Sequence, residues 1–288
     1  MGTPFRPSAV RRPALPQRIW AGLRTRGGRL GPPKPNTDGR MSLTDHIREL
    51  RYRVIISVLA VVVGTAVSAV FYRRIVAVVM WPWTVATRAW IQSTPDAVAL
   101  VVNQSVTSPF LLAMKASLVA GVILACPVWL YQAWAFVSPG LVVKEKRYVR
   151  AFLGAAIPCF LLGCALGYMV LPKGIQVMLT FTVSGVTNLQ DLNAFLSLEL
   201  RMVLVFGLAF LVPVFLVMAN RAGIVSGAAL GKARSAAIFG CYFFAAAATP
   251  SSDPFSMLAL GTPMAAMYLI AEIVARRHDR HRLSTEEE

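Results

Sequence analysis

The sequence is poor in the residues that most often carry chemistry at enzyme sites. It has three histidines and four cysteines in 288 residues, and 15% of its residues are charged. The histidines form no cluster that would hold a metal, and the cysteines lie inside apolar runs without paired metal-ligand spacing. There is no glycine-rich phosphate loop and no serine–histidine–acid arrangement. These absences argue against an enzyme and predict a chain without metal or cofactor.

Hydrophobic residues dominate what is present. They make up 56% of the chain, and the mean hydropathy is +0.60. A water-soluble domain of this length would need more charge on its surface. Several apolar runs reach about 18 residues, which is enough to cross a hydrocarbon core of about 30 Å. The net charge of +16 does not indicate nucleic-acid binding, because the basic residues lie at the chain ends and between apolar runs. The composition therefore predicts a polytopic membrane protein.

Six apolar segments predict an all-α protein with six transmembrane helices. In chain order they are 54–72, 108–135, 148–171, 194–219, 235–248 and 255–274. The fifth segment is short and would span only about 21 Å as a helix. Prolines inside the second, third, fourth and sixth segments predict kinks, and hence a concave bundle. The connection 73–108 is predicted to be an interfacial segment followed by a loop. The connection 172–193 is predicted to be a loop.

The two ends of the chain are polar. Residues 1–40 are rich in arginine, proline and glycine and predict a disordered basic tail. No apolar stretch follows Arg11-Arg12, so we expect no cleavable signal peptide. Ser42-Leu-Thr-Asp45 has the capping-box form that opens a helix, and a membrane domain is predicted over 41–275. Residues 276–288 are predicted as a charged tail.

The distribution of lysine and arginine predicts the orientation of the chain. The segments 1–53, 136–150, 220–234 and 275–288 hold 23 of the 29 basic residues. The positive-inside rule places all four on the cytoplasmic side, so both termini are predicted to be cytoplasmic.

Two acids stand out within these basic segments, Glu49 before the first helix and Glu145 after the second. Each has an ordinary interpretation. Glu49 can form a local ion pair with Arg53 or Arg48, and the Glu145 segment can be a positive-inside loop behind an interfacial aromatic belt.

Five motifs occur in order over residues 44–272 and point to a known family. They are His46-Ile-Arg-Glu-Leu-Arg-Tyr-Arg53, Ser108-Pro-Phe110, Pro127 with Tyr131-Gln-Ala-Trp-Ala-Phe-Val-Ser-Pro-Gly-Leu141 and Glu145, Phe206-Gly-Leu-Ala-Phe210 with Pro213, and Thr249-Pro with Asp253. Together with six predicted spans, they resemble TatC, the large multi-spanning subunit of the twin-arginine protein translocase.

The resemblance implies a receptor and scaffold rather than a catalyst. Glu49 and Glu145 would receive the consecutive arginines of signal peptides, and Arg51 and Phe136 match further positions needed for signal recognition. A guanidinium fits a carboxylate bidentately, which lysine cannot reproduce. The resemblance also implies a multi-pass cell-membrane protein, homo-oligomerisation within the translocase, and single-span partners of the TatA and possibly TatB type. It further implies that the proton-motive force drives the export of folded proteins.

The sequence departs from the family where partner subunits dock. A glutamate usual in the fourth helix is replaced by Leu211, and a frequent glutamine in the sixth is replaced by Met257. The implied docking set is Leu211, Thr249, Asp253 and Met257, with Glu199 and Arg201 as substitutes for the missing polar groups. Alternatively, Glu199 and Arg201 pair with each other near the outer leaflet. The rival class is a secondary transporter, but such proteins carry repeats and polar midplane sites that this sequence lacks.

Overall fold

The structure, a computed structural model, describes residues 43–94, 98–137, 146–182, 187–248 and 254–286. Its contacts divide the chain into two compact units, Met1–Tyr52 and Arg53–Glu288. The described part of the first unit is the beginning of a long helix. All packing described below lies within the second unit.

Helices and two short strands account for nearly all of the described residues. The helices are α1 Leu43–Val70, α2 Tyr72–Val79, α3 Trp81–Ser93, α4 Ser108–Leu124, α5 Cys126–Val137, α6 Lys146–Thr180, α7 Leu192–Ala209, α8 Leu211–Arg221, α9 Gly227–Lys232, α10 Arg234–Ala248 and α11 Pro254–Glu286, and the strands are β1 Ala99–Val102 and β2 Asn188–Asp191.

Four helical stretches of the described chain are long and apolar enough to cross a membrane. They are His46–Val70, Val149–Thr180, Leu192–Arg221 and Met257–His281. A fifth is obtained if α4 and α5, which meet at an angle of 59°, form one span. The helix α10 is apolar but shorter. The predicted class of helical, polytopic membrane protein is confirmed, whereas the number of six spans and the concave shape stay predictions.

Two of the predicted kinks are short interruptions of a helix that precede a proline, although α7 and α8 still form one continuous stretch, Leu192–Arg221. The break between α4 and α5 falls at Ala125, two residues before Pro127, and the break between α7 and α8 falls at Phe210, three residues before Pro213. Proline lacks an amide hydrogen, and its ring clashes with the carbonyl four residues earlier. For Pro213 that carbonyl belongs to Ala209, which is the last residue of α7.

One predicted boundary is wrong. Pro172 does not end the third helix, because α6 continues to Thr180. A continued helix satisfies the remaining backbone groups within the membrane, which outweighs the one hydrogen bond lost at proline. Residues 81–93, predicted as part of an interfacial segment, form the helix α3, in which Trp83, Ala86 and Trp90 are buried and which packs on α6. The segment 276–286, predicted as a charged tail, continues α11 as a helix.

A small parallel sheet joins the two connections that precede α4 and α7. Strand β1 pairs with β2 in a register that sets Ala99 opposite Asn188 and Val102 opposite Asp191. Asp191 then caps α7, because its Oδ2 accepts a hydrogen bond of 3.1 Å from the amide of Ala194,. The sequence prediction of an all-helical chain missed this pairing.

Glycines bring α6 and α7 into backbone contact, and this is the most extensive helix pair of the described chain. A Cβ added to Gly163 would lie 2.5 Å from the carbonyl oxygen of Phe206. A Cβ added to Gly207 would lie 2.5 Å from Cys164 Sγ and 2.8 Å from the ring of Phe160. Small residues at such positions allow close packing of membrane helices. The core therefore depends on the absence of side chains here.

Candidate functional site

Two of the four residues predicted to recognise signal peptides lie in the first turns of α1. Glu49 is buried, with 4% of its surface exposed, whereas Arg51 is exposed. Residues two positions apart point to different sides of a helix, so the two side chains meet different surroundings.

The other two belong to the end of α5 and the segment after it. Phe136 is half-buried near the end of α5. One turn before it, the buried Gln132 accepts a long hydrogen bond of 3.4 Å at Oε1 from Arg53 Nη1. This bond ties α1 to α5, and sequence analysis gave no weight to Gln132. Glu145 lies outside the described residues.

Aromatic side chains pack α5 against α6, the two helices on either side of the segment that carries Glu145. Trp134, near the end of α5, stacks on Phe152, near the start of α6, with ring centroids 4.6 Å apart and an interplanar angle of 18°. Deeper in the same interface, Trp129 meets Phe160 edge-on at 5.2 Å. Both phenylalanines are completely buried. These ring contacts pack α5 firmly against α6.

The residues of the predicted docking set lie in different environments. Leu211 is 4% exposed and belongs to a core cluster with Leu130, Trp134 and Phe152. Met257 is half-buried against the cluster that contains Leu260. Thr249 and Asp253 lie outside the described residues. A direct contact of a partner with Leu211 would require that core to open, so substitution at Leu211 acts first on the stability of the fold.

The predicted pairing of Glu199 with Arg201 is wrong. Glu199 is 1% exposed, and neither of its carboxylate oxygens has a hydrogen-bond partner among the described residues. Arg201 is exposed. Two positions along a helix correspond to about 200°, so the side chains leave α7 on opposite sides. The prediction relied on their closeness in sequence and did not take this rotation into account.

A polar cluster at Glu272 escaped the sequence analysis. The carboxylate is 1% exposed and accepts hydrogen bonds from Arg234 Nε to Oε2 at 2.9 Å and from Arg234 Nη2 to Oε1 at 2.7 Å. Arg276 Nη2 lies 2.8 Å from the same Oε1. The i, i+4 spacing of Glu272 and Arg276 at the end of an apolar run was the available signal. The partner on α10, 38 residues away, could not be read from spacing.

A second acid fixes the same corner of the second unit. Asp279 accepts hydrogen bonds from the side-chain amide of Asn220 at 2.8 Å and from the backbone amide of Gly227 at 2.6 Å. The hydroxyl of Tyr268 donates to the carbonyl of Leu230 at 2.8 Å. The short helix α9 is thereby fastened to α11 at both ends.

Apolar spans with charged side chains gathered at their ends define the described chain as a polytopic helical membrane protein. Throughout the described ranges, no group of three or more histidine, cysteine or acidic side chains is placed to hold a metal.

Comparison with known proteins names the family. Residues 45–263 match the family model described as Sec-independent protein translocase protein (TatC). TatC of Frankia casuarinae is 39% identical over 84% of this chain and 68% of its own length, and TatC of Xylanimonas cellulosilytica is 37% identical over 86% and 88%. A crystal structure of the twin arginine translocase receptor TatC is 29% identical, with a TM-score of 0.66 over 80% of this chain and 98% of that one. The chain belongs to the TatC family of Sec-independent protein translocases.

Proposed function

We propose that this chain is the receptor and scaffold subunit of a twin-arginine translocase, which binds signal peptides and assembles with single-span partners to export folded proteins. The observation that supports this most is the family match over 45–263, which includes every residue assigned here to signal recognition. A solved relative is itself described as a translocase receptor.

The chemistry of recognition follows from the acids. Glu49 and Glu145 bind the two adjacent guanidinium groups of a signal peptide, each of which offers a planar pair of donors to a carboxylate. Arg51 and Phe136 complete the recognition set.

We place the protein in the cell membrane with both termini in the cytoplasm and the β1–β2 sheet on the opposite side. The asymmetry of basic residues supports this arrangement. The proton-motive force supplies the energy, and TatA- and TatB-type subunits complete the assembly.

Site-specific photo-crosslinking in native membranes tests the receptor assignment. We expect a crosslinker at position 145 to capture a twin-arginine precursor, and a precursor with both arginines changed to lysine to be captured at least five-fold less. A crosslinker at Leu189, which is 63% exposed on β2, is the matched control and should capture neither. Capture at 189 instead of 145 would contradict both the binding site and the orientation.

Arg201 is the exposed candidate for partner docking. Arg201 lies within the apolar stretch Leu192–Arg221, where a charged side chain that faces outward is costly without a polar partner,. We expect Arg201→Ala to reduce co-purification of the single-span subunits several-fold without lowering the thermal stability of the chain. Glu199→Gln, which alters a buried acid two positions away, should leave co-purification unchanged. Equal co-purification with Arg201→Ala and wild type would refute docking at Arg201.

A further inference from the structure

The cluster around Glu272 holds two arginines in a fixed, outward-accessible arrangement that the proposed function does not use. The side chains of Arg234 and Arg276 are 50% and 44% exposed, although both contact a carboxylate that is 1% exposed. A guanidinium has five N–H donors, and Arg234 directs two of its nitrogens at Glu272,. Donors on both arginines therefore remain available to another acceptor.

The surrounding backbone is shaped to keep this arrangement. A Cβ on Gly231 would collide with Arg276 Nη2 and lie 3.0 Å from Glu272 Oε1. A Cβ on Gly227 would lie 2.7 Å from the backbone nitrogen of Arg276. Gly231 leaves the space that the Arg276 guanidinium occupies, and Gly227 allows the backbone of α11 to approach α9 closely. The arginines are thus positioned before any ligand arrives, which lowers the entropic cost of binding.

The corner carries an excess of positive charge. Within 232–234 and 272–280 the sequence has five basic residues and two acids. Both acids are already engaged, Glu272 with the arginines and Asp279 with Asn220 and Gly227. The net charge of this corner is therefore positive, which favours an anionic ligand.

The position of the cluster selects the kind of anion. Arg234 begins α10, and Arg276 follows the apolar part of α11, so both lie where helices leave the hydrocarbon. The same two helices carry exposed apolar side chains, with Phe239 72% and Ile273 51% exposed. A ligand that suits both features has an anionic head and apolar chains. A soluble acidic peptide would leave Phe239 and Ile273 uncovered.

We propose that Arg234 and Arg276, held by Glu272, form a binding site for the phosphodiester headgroup of an anionic phospholipid. The headgroup phosphate accepts hydrogen bonds from both guanidinium groups, while the acyl chains lie along the exposed apolar surfaces of α10 and α11. Basic sites between helices at a membrane surface are known binders of such headgroups. The site is separate from the residues assigned to signal recognition.

Native mass spectrometry of the detergent-purified chain, titrated with phosphatidylglycerol, tests the proposal. We expect Arg276→Gln to raise the apparent Kd for this lipid at least five-fold, while Glu272 keeps its paired contact with Arg234 and the fold is retained. The double variant Glu272→Gln with Arg276→Gln leaves the net charge unchanged and should lose affinity to a similar degree. Arg280→Gln, which removes an exposed charge one turn further along α11, should stay within two-fold of wild type.

Three further ligands distinguish a lipid from free phosphate and from an acidic peptide. Phosphatidylcholine and inorganic phosphate should each bind at least ten-fold more weakly than phosphatidylglycerol. Inorganic phosphate binding equally well would overturn the lipid assignment in favour of a free anion, and a polyglutamate peptide that binds more tightly would overturn it in favour of an acidic protein segment. Unchanged lipid affinity in the Arg276→Gln variants, or an equal loss in Arg280→Gln, would also refute the site. Crosslinking at position 145 reports on signal recognition independently.

Discussion

Export of a twin-arginine precursor should nearly stop when Glu145 is replaced by lysine. A charge-assisted hydrogen bond contributes about 1.5–3 kcal/mol net, so loss of the carboxylate alone weakens binding roughly ten-fold or more. Lysine adds repulsion of the signal arginines within a segment that already contains Lys144, Lys146 and Arg147. We therefore expect Glu145→Lys to be more severe than Glu145→Gln, and Glu49→Gln to resemble Glu145→Gln.

The measurement is export of a reporter precursor at matched membrane levels of each variant. Both Glu145 variants should insert normally, because the segment lies between apolar runs rather than within one. The matched control is Lys144→Gln, which changes the charge of the same segment without touching the acid and should export at close to the wild-type rate. If Glu145 only offset its basic neighbours, glutamine and lysine would have small and similar effects, and export at the wild-type rate in Glu145→Lys would refute its role as a receptor acid.

Gly163→Ala should be the most destabilising single-methyl change tested in α6. The new Cβ would lie 2.5 Å from the carbonyl oxygen of Phe206, which is backbone and cannot rotate away. The α6 and α7 helices must separate, and overpacking of this kind costs about 1–3 kcal/mol. We expect a lower midpoint of thermal unfolding in detergent, monitored by tryptophan fluorescence.

Gly154→Ala is the control in the same helix. A Cβ at Gly154 meets nothing within 4 Å, so only the intrinsic helix propensity changes, and alanine is favoured over glycine by about 1 kcal/mol,. The two substitutions add the same methyl group and should shift the midpoint in opposite directions. Equal shifts would show that the close approach of α6 to α7 does not limit stability.

The placement of the spans was largely predictable, because a membrane imposes its own length on apolar runs. The run that begins at 54 became α1, and the run over 194–219 became α7 and α8. The effect of each proline was less predictable. Pro213 follows an interruption between two helices, whereas Pro172 lies in the middle of an uninterrupted helix. The difference depends on which backbone groups the neighbouring helices and the apolar surroundings leave unsatisfied.

The candidate recognition residues came from sequence motifs, and the structure adds the burial of Glu49, Arg51 and Phe136. Glu49 and Arg51 differ in exposure as their helical positions predict. The surroundings of the docking residues could be predicted less well from the sequence. Leu211 stands where the family usually has a glutamate, and only packing shows that it belongs to the core with Trp134 and Phe152.

The sequence by itself determined that this chain is a helical membrane protein of the TatC family. The length of an apolar run and a local motif both consist of residues that are neighbours in the chain, so both can be read without the fold. Only the tertiary structure decided which charges are paired. Glu199 and Glu272 both lie in apolar segments, yet Glu272 meets Arg234 from 38 residues away and Glu199 has no hydrogen-bond partner among the described residues. Helix rotation and packing bring distant groups together, and neither is encoded in the spacing of a single segment.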